Sequence, residues 1–142
     1  MSQTVSGHCY CGGVRFTVAQ PADEPPVFTA YCHCDSCRRA HAAPLYQVVA
    51  VRPHNHRITA GAALVREFQH AGRNIVRAFC SQCGSRLYNR LSALGDRSPI
   101  IFFPDLIDED QRRSLPAVFR PRINNAAGEC VLDADKLAEV LA

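Results

Sequence analysis

The sequence predicts a mainly β fold. Short runs of alternating apolar and polar residues recur along the chain, and each is bounded by Gly, Pro, Asn or a cysteine. Such runs are typical of half-buried strands in an all-β domain. Helix signals are few, and no apolar run approaches the length of a membrane span. The 142 residues are expected to form a single domain covering residues 1–142.

The predicted strands follow one another at short intervals. Residues 14–18 alternate cleanly, and residues 27–31 run from the Pro25-Pro26 break into a cysteine motif. The remaining candidate strands are residues 45–51, 57–60, 64–68, 74–79, 86–88, 99–103 and 117–123.

Three short helical segments are predicted, two of them from possible capping residues. Asp35 is a candidate N-cap for a single turn over residues 36–39, and another turn is expected over residues 108–113. Asp133 is a candidate N-cap for a C-terminal helix over residues 134–141, where apolar residues would share one face.

Seven of the eight cysteines fall into three tight groups. The groups are Cys9-x-Cys11, Cys32-x-Cys34-x-x-Cys37 and Cys80-x-x-Cys83, and Cys130 stands alone. Thiols so close in sequence rarely reach disulfide geometry without strain. No secretory signal precedes the first group, so we expect a cytoplasmic protein, in which clustered cysteines are more often metal ligands or redox groups.

The first and third groups predict one closed zinc site. Each pair is followed by a glycine, Gly12 or Gly84, which can adopt the left-handed turn needed to wrap a metal. Four thiolates complete a structural zinc site, and joining two distant pairs would pin the amino-terminal strand to the middle of the fold. The alternative is that the pairs bind separately or are buried thiols. The four expected ligands are Cys9, Cys11, Cys80 and Cys83.

The central group of Cys32, Cys34 and Cys37 predicts a second, open zinc site. Three thiolates leave one position for water, an exogenous thiol or a substrate oxygen, as in a catalytic site. An iron–sulfur cluster is disfavoured because the spacing differs from C-x₂-C-x₂-C. The side chains that would instead close the shell and make the site structural are His33, His41 and Cys130.

Charge favours thiol chemistry at this open site. Zinc with three thiolates carries a formal charge of about −1, so it is a poorer Lewis acid than zinc held by three neutral histidines. Binding or releasing a soft thiolate is therefore favoured over hydrolysis. Arg38 and Arg39 are candidates to offset the negative charge of the thiolates. The alternative is that both are surface residues.

Positive charge is concentrated between residues 38 and 97. This stretch has ten arginines against Glu67 and Asp96, whereas the whole chain has a formal net charge of +3. Many of these arginines are expected on solvated outer faces of strands, and a site for a small anionic ligand is the alternative. A nucleic-acid or protein interaction module is disfavoured because lysine clusters and stacking aromatic residues are missing, so no nucleic-acid partner is expected.

The remaining histidines are expected to be solvated loop residues rather than ligands. They are His54 and His56 in one polar turn, and His70 in another. No Ser-His-Asp ordering, phosphate-binding glycine loop or Walker-like lysine is present.

Taken in order, the motifs resemble a known family. They are Gly7-x-Cys9-x-Cys11-Gly12-x-Val14-x-Phe16, Cys32-His33-Cys34-x-x-Cys37-Arg38, Gly61 with Leu64 and Phe68, and Arg77-x-Phe79-Cys80-x-x-Cys83-Gly84-Ser85. This pattern resembles the glutathione-dependent formaldehyde-activating enzyme family, also called the centromere protein V type domain.

The resemblance implies a β-tent fold of small antiparallel sheets around the four-cysteine zinc site. It also implies a second, catalytic-type zinc on Cys32, Cys34 and Cys37, which gives two zinc ions per chain. Members of the family are described as carbon–sulfur lyases that condense formaldehyde with glutathione to S-hydroxymethylglutathione. A small thiol such as glutathione and an aldehyde are therefore the expected partners. A non-catalytic zinc domain that binds glutathione or another small thiol is the alternative.

Overall fold

A computed structural model describes residues 2–121 and the backbone of residues 123–125. Within these ranges the chain forms ten strands, two short α-helices and several 3-10 turns. The strands are β1 (Gln3–His8), β2 (Arg15–Gln20), β3 (Phe28–Cys32), β4 (Tyr46–Val51), β5 (His56–Ala60), β6 (Val65–Gln69), β7 (Ile75–Cys80), β8 (Arg86–Leu91), β9 (Ile100–Phe102) and β10 (Ile123–Asn125). The helices are α1 (Asp35–His41) and α2 (Glu109–Arg112). The 3-10 turns are Pro53–Asn55, Ala62–Leu64, Ser92–Arg97, Pro104–Leu106 and Ala117–Phe119.

The strands form two sheets. The smaller sheet has the order β1-β2-β5, and the larger sheet has the order β10-β3-β4-β9-β8-β7-β6. All pairs are antiparallel except β10 and β3, which run parallel at one edge of the larger sheet. The prediction of a mainly β fold with antiparallel sheets is confirmed, and the parallel edge pair is an addition that local sequence patterns do not indicate.

An aromatic and aliphatic core joins the two sheets. Phe16 of the small sheet packs against Phe102 of the large sheet, with ring centroids 6.3 Å apart, and Phe119 meets Phe102 edge-on at 5.5 Å. The buried residues of this cluster are Val5, Phe16, Val18, Val49, Val51, Phe102, Ile107 and Phe119. Burial of their apolar surface holds the sheets face to face.

The strand predictions agree with the structure except at two places. Strand β1 was not predicted, because only Val5 and Gly7 are buried in it and its apolar pattern is short. The strand predicted over residues 117–123 is wrong, since Ala117–Phe119 forms a 3-10 turn and β10 starts only at Ile123. Pro121 lies between them and has no N–H to donate to a strand ladder.

The helix predictions are partly correct. Helix α1 begins at Asp35 itself with Cys34 at the N-cap, so the prediction that Asp35 caps this helix is wrong. The Asp35 carboxylate instead pairs with Arg38 one turn later and suits the positive end of the helix dipole. The predicted turn over residues 108–113 is confirmed as α2. Among the described residues, no helix has the length and apolar character needed to cross a bilayer.

Two predictions lie outside the described residues. They are the C-terminal helix over residues 134–141 with its cap Asp133, and the placement of Cys130.

His56 begins strand β5 and is partly buried against the aromatic core, which corrects the prediction of a solvated loop histidine. Its ring stacks on Phe16 with centroids 5.4 Å apart and meets the edge of Tyr88 at 5.3 Å. Its Nε2 atom is buried and has no hydrogen-bond partner among the described residues. Burial lowers the pKa of His56 to about 4, so the ring is neutral at physiological pH.

Phe119 is expected to carry a large share of the core's stability. Replacing it with alanine should lower the free energy of unfolding by about 3–5 kcal/mol, because a fully buried ring leaves a cavity beside Phe102. The matched control is Phe68→Ala on strand β6, where the side chain is 54% exposed and the loss should stay below about 1 kcal/mol. Urea denaturation measures both, and equal losses would contradict the assignment of Phe119 to the core.

The neutral His56 predicts a pH dependence of stability. In the unfolded chain the ring binds a proton below about pH 6.5, whereas in the folded chain it stays neutral down to about pH 4. The unfolded state therefore binds more protons in this window, and stability falls as the pH drops. Between about pH 7 and about pH 5, the free energy of unfolding of the wild type should fall by roughly 2 kcal/mol more than that of His56→Phe, as measured by urea denaturation. If the free energy of unfolding changed with pH in the same way in both proteins, the prediction would be contradicted.

Candidate metal centres

The four-cysteine group, formed by Cys9, Cys11, Cys80 and Cys83, joins the two sheets. Its first pair lies in the connection between β1 and β2, and its second pair lies where β7 ends and turns toward β8. The four sulfurs all lie within 4.8 Å of one another. Neighbouring sulfurs are 3.5 Å apart for Cys9 and Cys11, and 3.9 Å apart for Cys11 and Cys80. Tetrahedral zinc with bonds of about 2.3 Å places its sulfurs roughly 3.8 Å apart, so the donors fit this metal.

Both pairs turn at glycine, as predicted. Gly12 has φ +76° and Gly84 has φ +79°, the left-handed region that other residues rarely adopt. The Gly12 N–H donates to the Cys9 carbonyl at 3.0 Å, and the Gly84 N–H donates to the Cys80 carbonyl at 2.7 Å. These tight turns bring the two thiols of each pair to the same side of the chain.

Several donors face the sulfurs of this group. They are the Val14 N–H to Cys9 at 3.3 Å, the Gly13 N–H to Cys11 at 3.4 Å and the Gln82 side-chain amide to Cys11 at 3.3 Å. The Ser85 hydroxyl lies 3.2 Å from the Cys83 sulfur, and this contact lowers the pKa of Cys83 to about 6. Such donors favour the thiolate form that a metal requires.

The three-cysteine group, formed by Cys32, Cys34 and Cys37, lies where β3 passes into α1. Cys32 ends the strand, Cys34 caps the helix and Cys37 lies in its first turn. Their sulfurs all lie within 4.8 Å of one another, with Cys32 and Cys34 3.9 Å apart. The three residues are 1%, 2% and 0% exposed, so the group is closed off from solvent. Both cysteine groups can therefore bind a metal.

Neither candidate histidine belongs to the three-cysteine group within the described part of the chain. The His41 ring instead stacks on Tyr46 with centroids 4.0 Å apart and meets Phe103 edge-on at 5.0 Å. Burial lowers the pKa of His41 to about 4. His33, which follows Cys32, is partly exposed.

Arg77 belongs to the motif that carries the family resemblance, but its contact with the three-cysteine group was not predicted from the sequence. It lies on β7, is only 9% exposed, and its Nη2 atom is 3.7 Å from the Cys37 sulfur. The expectation that arginines of this region lie on solvated strand faces does not hold for it. Arg38 and Arg39, the predicted counter-charges, are both exposed. The sequence feature that could have indicated this buried arginine is its position within an otherwise apolar strand.

Tyr46 covers the three thiols from the neighbouring strand. It lies opposite Cys32 in the register of β3 and β4 and packs against the cysteines. Burial, followed by the charges of Cys37 and Cys32, raises the pKa of Tyr46, so its hydroxyl keeps its proton.

Replacing one cysteine in each group is expected to separate their roles. Cys9→Ser should lose the metal of the four-cysteine group and more than about 4 kcal/mol of folding free energy, because a structural metal stabilises only the folded chain. Cys34→Ser should lose the metal of the three-cysteine group and keep most of the fold. Metal analysis and thermal unfolding by circular dichroism measure the two effects. The reverse pattern would exchange the roles of the two groups.

Comparison with known proteins relates the chain to a solved fold and to a protein family. A crystal structure of a Rhodobacter sphaeroides protein is similar, with a TM-score of 0.59 and 18% identity over 84% of this chain and 99% of the other. At this identity the likeness concerns the fold alone. A family model described as "Glutathione-dependent formaldehyde-activating enzyme" matches residues 4–118, a range that contains all seven clustered cysteines. The chain belongs to the glutathione-dependent formaldehyde-activating enzyme family.

Proposed function

We propose that this protein is a zinc-dependent carbon–sulfur lyase that acts on thiol adducts of aldehydes, with formaldehyde and glutathione as the reference pair. The observation that carries the proposal is the three-cysteine group, in which three buried thiols have sulfurs that all lie within 4.8 Å of one another. Membership of a family named for glutathione-dependent formaldehyde activation supports the same chemistry.

The proposal divides the seven cysteines between two zinc ions in a single domain. Cys9, Cys11, Cys80 and Cys83 would hold a structural zinc, and Cys32, Cys34 and Cys37 would hold the second. The second zinc would supply an open position at which a soft thiol is held as its thiolate.

The residues around the three-cysteine group suit a thiol better than water. Their burial excludes bulk solvent, which disfavours hydrolysis of a reactive adduct. The guanidinium of Arg77 offsets negative charge that thiolates accumulate, and it does so at any physiological pH because arginine stays protonated. The Tyr46 phenol remains neutral and adds no further negative charge.

The proposed reaction needs neither an oxidant nor a reductant. In the direction of cleavage, the C–S bond of the hydroxymethyl adduct breaks and its electron pair goes to sulfur. The hydroxyl oxygen loses its proton as the C=O bond of the aldehyde forms, and that proton ends on the thiol or in solvent. Condensation is the reverse of these changes.

Exchange between formaldehyde, glutathione and their adduct tests the proposal. The zinc-loaded wild type should accelerate the exchange measured by NMR exchange spectroscopy, and Cys34→Ser should reduce it to the uncatalysed rate. Phe68→Ala is the control, since its exposed side chain lies on β6 outside both cysteine groups. No acceleration with several thiols would refute the lyase. Binding of glutathione without acceleration would instead support a non-catalytic thiol-binding domain.

A further inference from the structure

Unpartnered polar atoms are concentrated beside the three-cysteine group. In the described part of the chain, seven buried side-chain nitrogen or oxygen atoms have no hydrogen-bond partner, and five of them belong to four residues of this region. The four residues are His41, Tyr46, Arg77 and Asn89. A buried polar atom that stays unpaired destabilises the fold, so a cluster of such atoms indicates a place where a ligand or ordered water supplies partners.

The topology brings these atoms together. Arg77 on β7 lies directly opposite Asn89 on β8, so the two side chains leave the sheet on the same face, with Cβ atoms about 5 Å apart. Asn89 is 1% exposed, and both its side-chain polar atoms are unpartnered. Burial lowers the pKa of Arg77, but the Cys37 sulfur and, after it, the Tyr46 phenol raise the pKa above its usual value, so both groups lie close to the guanidinium. Helix α1 brings Cys37 to the same guanidinium.

Arg77 is held by one nitrogen and free at the other. Its Nη2 contacts the Cys37 sulfur at 3.7 Å, whereas its Nη1 is buried without a partner. The guanidinium group is planar and rigid, so a contact that fixes Nη2 also orients the N–H groups of Nη1 as donors. The unpartnered Nη1 donor therefore lies beside the Cys37 sulfur.

We propose that Arg77, Asn89 and Tyr46 form a binding site for the oxygen atom of a small carbonyl adduct held at the three-cysteine group. This inference rests on the proposed function and names the residues that recognise the oxygen end of its substrate. Arg77 Nη1, Asn89 Nδ2 and the Tyr46 hydroxyl are donors, and they suit a hydroxyl, alkoxide or carbonyl oxygen. Asn89 Oδ1 is an acceptor for the proton of a hydroxymethyl group.

The site has a defined effect on the reaction. When the adduct R–S–CH₂–OH breaks, its hydroxyl proton leaves for the departing thiol or solvent and the C–S electron pair leaves with sulfur, and negative charge develops on the oxygen as that proton leaves. A fixed guanidinium N–H in a site closed to solvent stabilises that charge without reorganising. Arg77 is thus a catalytic residue in this proposal, because it touches the reacting oxygen, and Asn89 and Tyr46 complete the same oxygen site.

Substitutions at Arg77 test the oxygen site with an activity readout and a binding readout. Arg77→Met keeps an unbranched apolar side chain but removes the hydrogen-bond donors and the charge. Arg77→Lys keeps the positive charge but lacks the planar guanidinium with its paired N–H donors. Tyr46→Phe removes one hydroxyl, and it is a milder second variant if Arg77→Met folds poorly. The matched control is Arg90→Gln, an arginine of strand β8 whose partner is Glu67. Zinc content and thermal unfolding are measured for every variant.

The activity arm uses exchange of the formaldehyde–glutathione adduct. Arg77→Met should lower kcat by about 100-fold or more, which is the loss typical of removing one donor to a developing oxyanion. Arg77→Lys should have a higher kcat than Arg77→Met, and the loss of kcat in Tyr46→Phe should be smaller than in Arg77→Met. The kcat of Arg90→Gln should match that of the wild type. An Arg77→Met enzyme with full zinc content and kcat within about twofold of the wild type would refute the oxygen site and leave the lyase proposal standing.

The binding arm uses formate, a small carboxylate whose oxygens replace those of the adduct, and needs no turnover. Formate titrated into the zinc-loaded protein by calorimetry should bind the wild type and Arg90→Gln, and bind Arg77→Met at least about tenfold more weakly. If the wild type binds formate through Arg77 but catalyses no exchange, the lyase proposal fails and the oxygen site stands. If formate does not bind, or binds equally to Arg77→Met, the unpartnered atoms are satisfied by water and the oxygen site is refuted.

Discussion

The convergence of four thiols from two distant turns is the constraint on which the rest of this structure depends. Cys11 and Cys80 are 69 positions apart in sequence, yet their sulfurs lie 3.9 Å apart. This contact fixes the small sheet against the end of β7. Because Arg77 lies three residues before Cys80 on that strand, the same constraint sets the position of the guanidinium that contacts Cys37.

The two cysteine groups balance negative charge in different ways. In the four-cysteine group, neutral N–H donors face the sulfurs and Cys11 is open to water, so solvent and peptide dipoles share the charge. In the three-cysteine group the sulfurs are buried and a full positive charge lies beside them. A buried anionic centre needs such a counter-charge, since desolvation of unpaired charge is expensive. The first environment suits a permanent structural ion, and the second suits a centre whose charge changes as a ligand arrives and leaves.

Sequence reasoning worked where the information is local. Cysteine spacing and the glycines after each pair are local signals, and the turns at Gly12 and Gly84 have the predicted left-handed conformation. Most strands were predictable because alternation is set by burial on one face of a sheet. What sequence alone did not reveal depends on tertiary contacts. Arg77 and His56 look like ordinary polar positions until neighbouring strands and α1 enclose them.

The burial of the three-cysteine group bears on how fast a bound metal could escape. Its sulfurs are almost wholly covered, whereas Cys11 of the four-cysteine group is open to solvent. Cys34 and Cys37 belong to the seven-residue helix α1 and its cap, while Cys32 belongs to the sheet. Metal exchange at the three-cysteine group would therefore be governed by the opening of one short helix rather than by direct access from solvent.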